Sequence, residues 1–292
     1  MWHDPVAETL RLVQDSLARS EVIPIATYYM GRVWGYEVPG HHVVVMTLIT
    51  VPLSILVLSA WGTIVTARHW EDRPVGGLCL TQMLFFVALL AAPGSPNHDG
   101  VRLWLPMFPF LGVLAGRGFG SAVQVARQRI PENRASLAAL LLGVVFFIPP
   151  YVQTTRAAPH HLAYYNEVIG GVRGAANAGM ETTYWLEAVT PAFLERIGET
   201  LPPGARLAAW PNVEHYQWLQ HNGMLRDDIV VTEQMPPDYL LLVARRASFQ
   251  PYHWRIYENV HPELAVEVRG VELAGLYAWE ASEEVEPDPE DP

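Results

Sequence analysis

The sequence predicts a polytopic α-helical membrane bundle of about four spans followed by a small extracytoplasmic α/β domain. Three observations carry this expectation. Half of the 292 residues are hydrophobic and only 17% are charged, well below the roughly 25% of ordinary soluble chains. The excess is uneven, falling between His42 and Tyr151, where four apolar runs follow one another. From Thr154 onward the pattern changes to short strand-like and helix-like segments in alternation. A chain of this length has room for two domains.

Residues 1–42 read as an extracytoplasmic loop segment. They hold an aromatic and basic cluster, Tyr28, Tyr29, Arg32, Trp34 and Tyr36. Such clusters form aromatic belts at a membrane interface or stack against a sugar. The transmembrane region, 43–152, contains runs at 43–65, 75–92, 103–123 and 135–152. A spanning helix needs about 17–25 residues, so the second and fourth runs sit near the lower limit. The third run is entered through Pro106 and Pro109. Prolines there loosen the helix, and neighbouring protein must satisfy the freed backbone groups. Gly112, Gly116 and Gly120 are spaced by four, which suits close helix packing. The glycines of "GRGFG" are no dinucleotide fingerprint, because no strand precedes them.

Loop charges orient the runs. Arg68 and Arg73 fall between the first and second, and Arg127, Arg129 and Arg134 between the third and fourth. The intervening segment 93–102 offers only Arg102. The Arg-rich loops are therefore expected on the cytoplasmic side, and residues 1–42, the 98–102 loop and the C-terminal half outside. The opening "MWHDPVAETLRLVQDSL" has no basic n-region and no apolar h-region. The expectation is that further membrane helices precede Met1.

The extracytoplasmic α/β domain covers 153–280. Residues 160–185 read as loop plus short helix. Thr190 is placed to cap a helix over 191–200 with Pro191 at its first position. "RLAAW" at 206–210, "DIVVTE" at 228–233 and "YLLLVAR" at 239–245 read as strands. A helix over "NVEHYQWLQHNG" ends at Gly223. Residues 264–280 read as a strand pair or one long bulged strand. Residues 281–292 form an acidic disordered tail; seven acids and no base fall in 280–292.

Composition also excludes classes. There is no basic patch for nucleic acid, and all 19 basic residues are Arg. Cys79 is the single cysteine, so no intrachain disulfide and no cysteine metal cluster can form. His41 with His42, and His160 with His161, are adjacent pairs without an HExxH pattern. Adjacent residues rarely ligate one ion together, so a divalent metal has no support and no cofactor is firmly implied.

Three stretches, "IPIATYYMGRVWGYEVPGHHVVVMTLITVP", "HDGVRLWLPMFPFLGVLAGRG" and "HHLAYYNEVIGGVRGAANAGMETTYW", resemble in order the C-terminal half of bacterial family-39-like glycosyltransferases. These have the GT-C fold and are related to protein mannosyltransferases and aminoarabinose transferases. The resemblance implies a multi-pass membrane enzyme that moves a sugar from a polyprenyl-phosphate carrier to a protein or lipid acceptor on the outer face. It implies a location in the bacterial cytoplasmic membrane. It also implies a catalytic carboxylate in a first external loop, expected upstream of Met1; Asp4 does not match that position.

Within that frame, Arg102 is the candidate donor phosphate-binding residue. Its guanidinium suits phosphate oxygens bidentately, and a preorganised cation stabilises a phosphate leaving group. A snorkelling helix-end anchor is the other reading of the same residue. His98, Asp99, His41, His42, Tyr29 and Arg32 are the candidates for lining the donor cavity. Asp99 and Gly100 also read as a plain turn, and His41 and His42 as interfacial anchors. Glu181, Tyr184 and Trp185 are either acceptor contacts or a packed interface. The alternative function is a non-catalytic membrane-anchored module whose external α/β domain binds a partner or glycan.

Overall fold

A computed structural model describes residues 4, 6–8, 10–11, 25–35, 38–68, 74–92, 95 and 97–279. Tyr36, Arg73, most of 1–24 and the acidic tail lie outside the described residues. The chain divides into two units. One comprises Met1–Arg156 with Asn166–Val168, the other Ala157–Tyr165 with Ile169–Pro292.

In the first unit residues 6–8 and 10–11 are helical, and a small antiparallel hairpin follows, β1 (Thr27–Tyr29) and β2 (Arg32–Trp34). Met30 and Gly31 turn it through left-handed backbone. The first apolar run was expected as one helix; it is two. α1 (His42–Thr50) and α2 (Leu53–Arg68) meet at a 120° bend. Pro52 is the cause. It has no N–H to offer the Leu48 carbonyl and it drives Val51 to extended backbone (φ −85°, ψ 135°).

α3 (Pro74–Ala91) matches the expected second run. The third run begins as a 3-10 helix, Arg102–Met107, with Pro106 inside and Trp104 off helical geometry. It then becomes α4 (Phe108–Arg129), with Pro109 in its first turn and Arg127 and Arg129 in its last. α5 (Glu132–Ala157) continues through Pro149 and Pro150.

Of the four expected spans, two or three meet the length and apolarity that crossing a membrane needs. α3 and α5 are long and apolar enough to cross a membrane, and the bent pair α1–α2 makes a third if taken as one span. α4 is interrupted by Arg117 at mid-helix.

α2 and α4 cross closely. A Cβ at Gly62 would collide with the backbone of Leu114 and Gly118, and one at Gly118 with the backbone of Leu58 and Gly62. Ser59 adds hydrogen bonds to the carbonyls of Ile55 (2.7 Å) and Leu111 (3.2 Å). The packing glycine of α4 is thus Gly118. Gly112, Gly116 and Gly120 have open space where a side chain would stand, so the expected small-residue face points the other way.

The second unit is an α/β domain. Its five-stranded sheet has the order β4-β3-β5-β7-β6. β3 (Arg206–Trp210) lies parallel to β4 (Val230–Val231) and β5 (Tyr239–Val243). β6 (Leu264–Val268) and β7 (Val271–Ala278) form the expected strand pair, turned at Arg269 and Gly270. Helices cover both faces. α6 (Gly171–Asn177), α7 (Pro191–Thr200) and α8 (Val213–His221) contribute Val172, Phe193, Ile197 and Tyr216 to a core with Leu207, Leu241 and Val243. α9 (Pro251–Asn259) packs Ile256 against Ala208, Leu240 and Tyr277 on the other side. The expected cap is present: the Thr190 side chain accepts the Phe193 N–H. Asn212 caps α8 through the His215 N–H.

Candidate functional site

The site residues expected from the sequence divide into those brought together at the entry of α1 and those that are not. β1 places Tyr29 edge-on against His42, with ring centroids 4.7 Å apart. His42 is edge-on to Trp104 at 5.6 Å. Trp104 donates its indole N–H to Thr47 at 3.0 Å. All three rings are buried, so hairpin, α1 and the 3-10 helix share one aromatic knot. The Tyr29 hydroxyl and His42 Nδ1 are buried without a hydrogen-bond partner among the described residues. Burial pushes the Tyr29 phenol up to about 12, so it stays a neutral hydroxyl.

The histidine pair is split. His41 is exposed and His42 is buried. His98 is buried too. Beside it Asp99 and Gly100 form the turn read from the sequence, both in left-handed backbone, which these two residue types tolerate best. The turn brings the Asp99 carboxylate to the Arg102 guanidinium at 2.9 Å. The pair is asymmetric: the Asp99 side chain is 5% exposed and that of Arg102 49%. A buried carboxylate thus holds a half-exposed cation at the head of the 3-10 helix. Arg32 is exposed and lies over the Trp34 ring at 4.8 Å, while Trp34 donates to the Tyr29 carbonyl at 2.9 Å.

Asn97 ties the threshold down. Its amide donates to the Leu90 carbonyl at 2.8 Å, and its own carbonyl accepts the Thr27 hydroxyl at 3.2 Å. Sequence reasoning missed a second clamp, Asn166. Its amide donates to the Leu48 carbonyl (2.7 Å) and the Val51 carbonyl (2.6 Å), its backbone N–H to Ile49 (2.8 Å), and its Oδ1 accepts the Val168 N–H. These are the carbonyls that Pro52 leaves open. Every polar atom of that side chain is used, which is how an irregular bend survives in an apolar bundle.

Arg117 was also missed, although a lone Arg inside an apolar run is itself a signal. Its Nε and Nη2, and the Thr66 hydroxyl, are buried without hydrogen-bond partners among the described residues. A Cβ on Gly76 would run into its guanidinium, so that glycine makes the room it occupies.

In the second unit, Glu181 and Tyr184 are buried rather than offered to an acceptor. The two Glu181 oxygens accept the backbone N–H groups of Arg246 (3.0 Å) and Ala247 (2.9 Å). The Arg246 guanidinium lies 3.8 Å away and donates to the Met180 carbonyl. Burial pushes the Glu181 carboxyl up to about 7, against the opposing pull of Arg246 and the two amides. Tyr165 donates to the Glu181 carbonyl, and its hydroxyl lies 3.0 Å from that of Tyr184. This is an internal polar lock. Trp185 is exposed. Burial lowers His160 below the usual imidazole range.

Among the described residues, no three His, Cys, Asp or Glu side chains converge as metal ligands. Compared with known proteins, the chain matches no family model, no curated protein and no solved structure.

Proposed function

We propose that this chain serves glycosyl transfer from a polyprenyl-phosphate-linked sugar to a protein or lipid acceptor at the outer face of a bacterial cytoplasmic membrane. The observation that supports this reading is the asymmetric pair at the bundle threshold. Asp99 is buried and fixes the Arg102 guanidinium, while the guanidinium itself reaches solvent. A lipid-linked donor keeps its isoprenoid among apolar helices and its phosphate at their ends. Arg102 is the cation that meets that phosphate, and its charge stabilises the phosphate released as the sugar departs. Asp99 is a positioning residue in this scheme. The carboxylate that assists the acceptor is not assigned to any residue of this chain.

Equilibrium binding of decaprenyl phosphate to the protein in lipid nanodiscs tests the proposal. Arg102→Ala loses a charge-assisted hydrogen bond worth about 1.5–3 kcal/mol, or roughly ten- to a hundred-fold in affinity. Arg102→Lys retains the charge without the fork and falls between. Equal affinity of parent and Arg102→Ala overturns the assignment. It would then favour the reading of a non-catalytic membrane-anchored module with a partner- or glycan-binding external domain.

A further inference from the structure

The α/β domain carries a cavity of about 440 Å³ that the transferase reading does not use. Its origin is a sheet left incomplete at one edge. β4 pairs with β3 at Arg206 and Leu207, flanked by bonds from the Val230 N–H to the Ala205 carbonyl and from the Thr232 N–H to the Leu207 carbonyl. The chain then leaves the sheet through Glu233 to Met235, and among the described residues no strand pairs with the outer edge of β3 from Ala208 to Trp210. Backbone groups alternate sides along a strand, so the N–H and C=O of Ala209 face this edge as those of Leu207 do. The cavity lies there, at the carboxyl ends of parallel strands, where α/β sheets characteristically place ligands.

Its lining has a consistent chemistry. Trp210 and Tyr252 supply aromatic surface, Met235 a soft apolar wall, and Glu214 and Glu233 two carboxylates. Among the described residues, no Arg or His side chain lines it. The Trp210 ring is held in place, since its indole N–H donates to the Ser248 carbonyl at 3.1 Å and its face lies against His253 at 4.5 Å. Two carboxylates with a fixed aromatic face match a cation: the ring quadrupole attracts it, and the acids and the Ala209 carbonyl accept its N–H groups. Both glutamates are exposed, and a neutral sugar would leave their two charges without a counter-charge in the cavity.

We propose that this edge cavity binds an organic cation bearing N–H donors, a primary ammonium or guanidinium group, through Trp210, Tyr252, Glu214 and Glu233. The ligand is a free polyamine or a basic side chain of a peptide. The proposal stands independently of the donor site at Arg102.

The test is equilibrium binding to the full chain in nanodiscs, made with uncharged lipid to remove surface attraction. The probes are spermidine, acetyl-Ala-Lys-Ala-amide, the same peptide with norleucine for lysine, and methyl glucoside. Saturable binding of spermidine or of the lysine peptide is expected, with the norleucine peptide and the glucoside at least roughly ten-fold weaker. The double variant Glu214→Gln, Glu233→Gln should weaken the cation by about ten-fold or more and leave decaprenyl phosphate binding unchanged. Saturation by spermidine alone assigns a free polyamine, and saturation by the peptide assigns a protein segment. Equal binding of the lysine and norleucine peptides, preference for the glucoside, cation affinity unmoved by the double variant, or no saturable cation binding each overturns the proposal.

Discussion

The two units differ in how much of their apolar side-chain surface they bury. In the α/β domain the largest apolar residues are inside: Leu207, Leu241, Leu242 and Val243 are fully buried. In the bundle Trp104, Met107 and Leu114 are buried, but many large apolar side chains of α3 and α5 point out. Leu84 on α3 and Leu140 on α5 are 68% and 63% exposed, while the buried positions of α3 include Gly76, Gly77 and Cys79, and α5 buries only Ala135. Water drives the first arrangement, because removing apolar area from it is favourable. Hydrocarbon gives no such reward. Helices in it gain instead from close backbone approach at small residues and from satisfied polar groups. The contrast, like the two or three helices long and apolar enough to span, is consistent with membrane association of the first unit.

Truncating one leucine in each unit tests that contrast at its widest. Leu241→Ala should destabilise the α/β domain by about 2–5 kcal/mol, whereas Leu84→Ala should shift bundle stability by less than about 0.5 kcal/mol. Thermal melts in nanodiscs, followed by hydrogen exchange in each segment, would read both. Equal costs would remove the distinction.

Polar satisfaction comes next. Asn166→Asp keeps the volume but loses the amide donors that serve Leu48 and Val51. We expect a loss of about 3 kcal/mol, since buried carbonyls left without donors cost about 1–3 kcal/mol each. Exchange at the α1–α2 bend should rise sharply; unchanged protection there would mean that the bend is held by something else. At the helix crossing, Gly118→Leu should cost about 1–3 kcal/mol by overpacking, and Gly116→Leu on the same helix close to nothing. The reverse order would restore the glycine face expected from the sequence.

A pH dependence in the α/β domain comes last. His253 is fully buried, and burial holds its imidazole down at about 4 against the ordinary 6.5. The unfolded chain therefore takes up the proton first, so His253 adds a slope of stability lost as pH falls from about 6.5 towards 4, opposed by Glu181, whose carboxyl is raised to about 7. His253→Phe should flatten that slope in denaturant midpoints measured across this range.

Much of the α/β domain was legible. Thr190 with Pro191 announced α7, Gly223 ended α8, and the apolar runs of β3 and β5 read as buried strands. β4 proved shorter than its apolar run, because the chain leaves the edge after Val231. α9 was overlooked despite Pro251 standing at its first turn. In the bundle, hydropathy located the runs but not their breaks. Pro52 was visible in the sequence, yet a break in an apolar run is stable only with outside donors, and Asn166 lies more than a hundred residues away. The glycine face failed for a related reason: spacing by four identifies a stripe, and only the partner helix decides which stripe is used. The Asp99 turn was readable because its geometry is local, while the burial of His42 depends on Tyr29 and Trp104 arriving from either side.

The Asn166 clamp also sets an order of events in biosynthesis. Its contacts to Leu48 and Val51 bridge 118 and 115 residues, so α1 and α2 are synthesised, and α3, α4 and α5 after them, before the residue that closes their bend exists. Until then the bend must borrow hydrogen bonds from water or from the insertion machinery. The bend between α1 and α2 is thus finished only after α5 has been made, and a ribosome stalled before residue 166 would leave its carbonyls open.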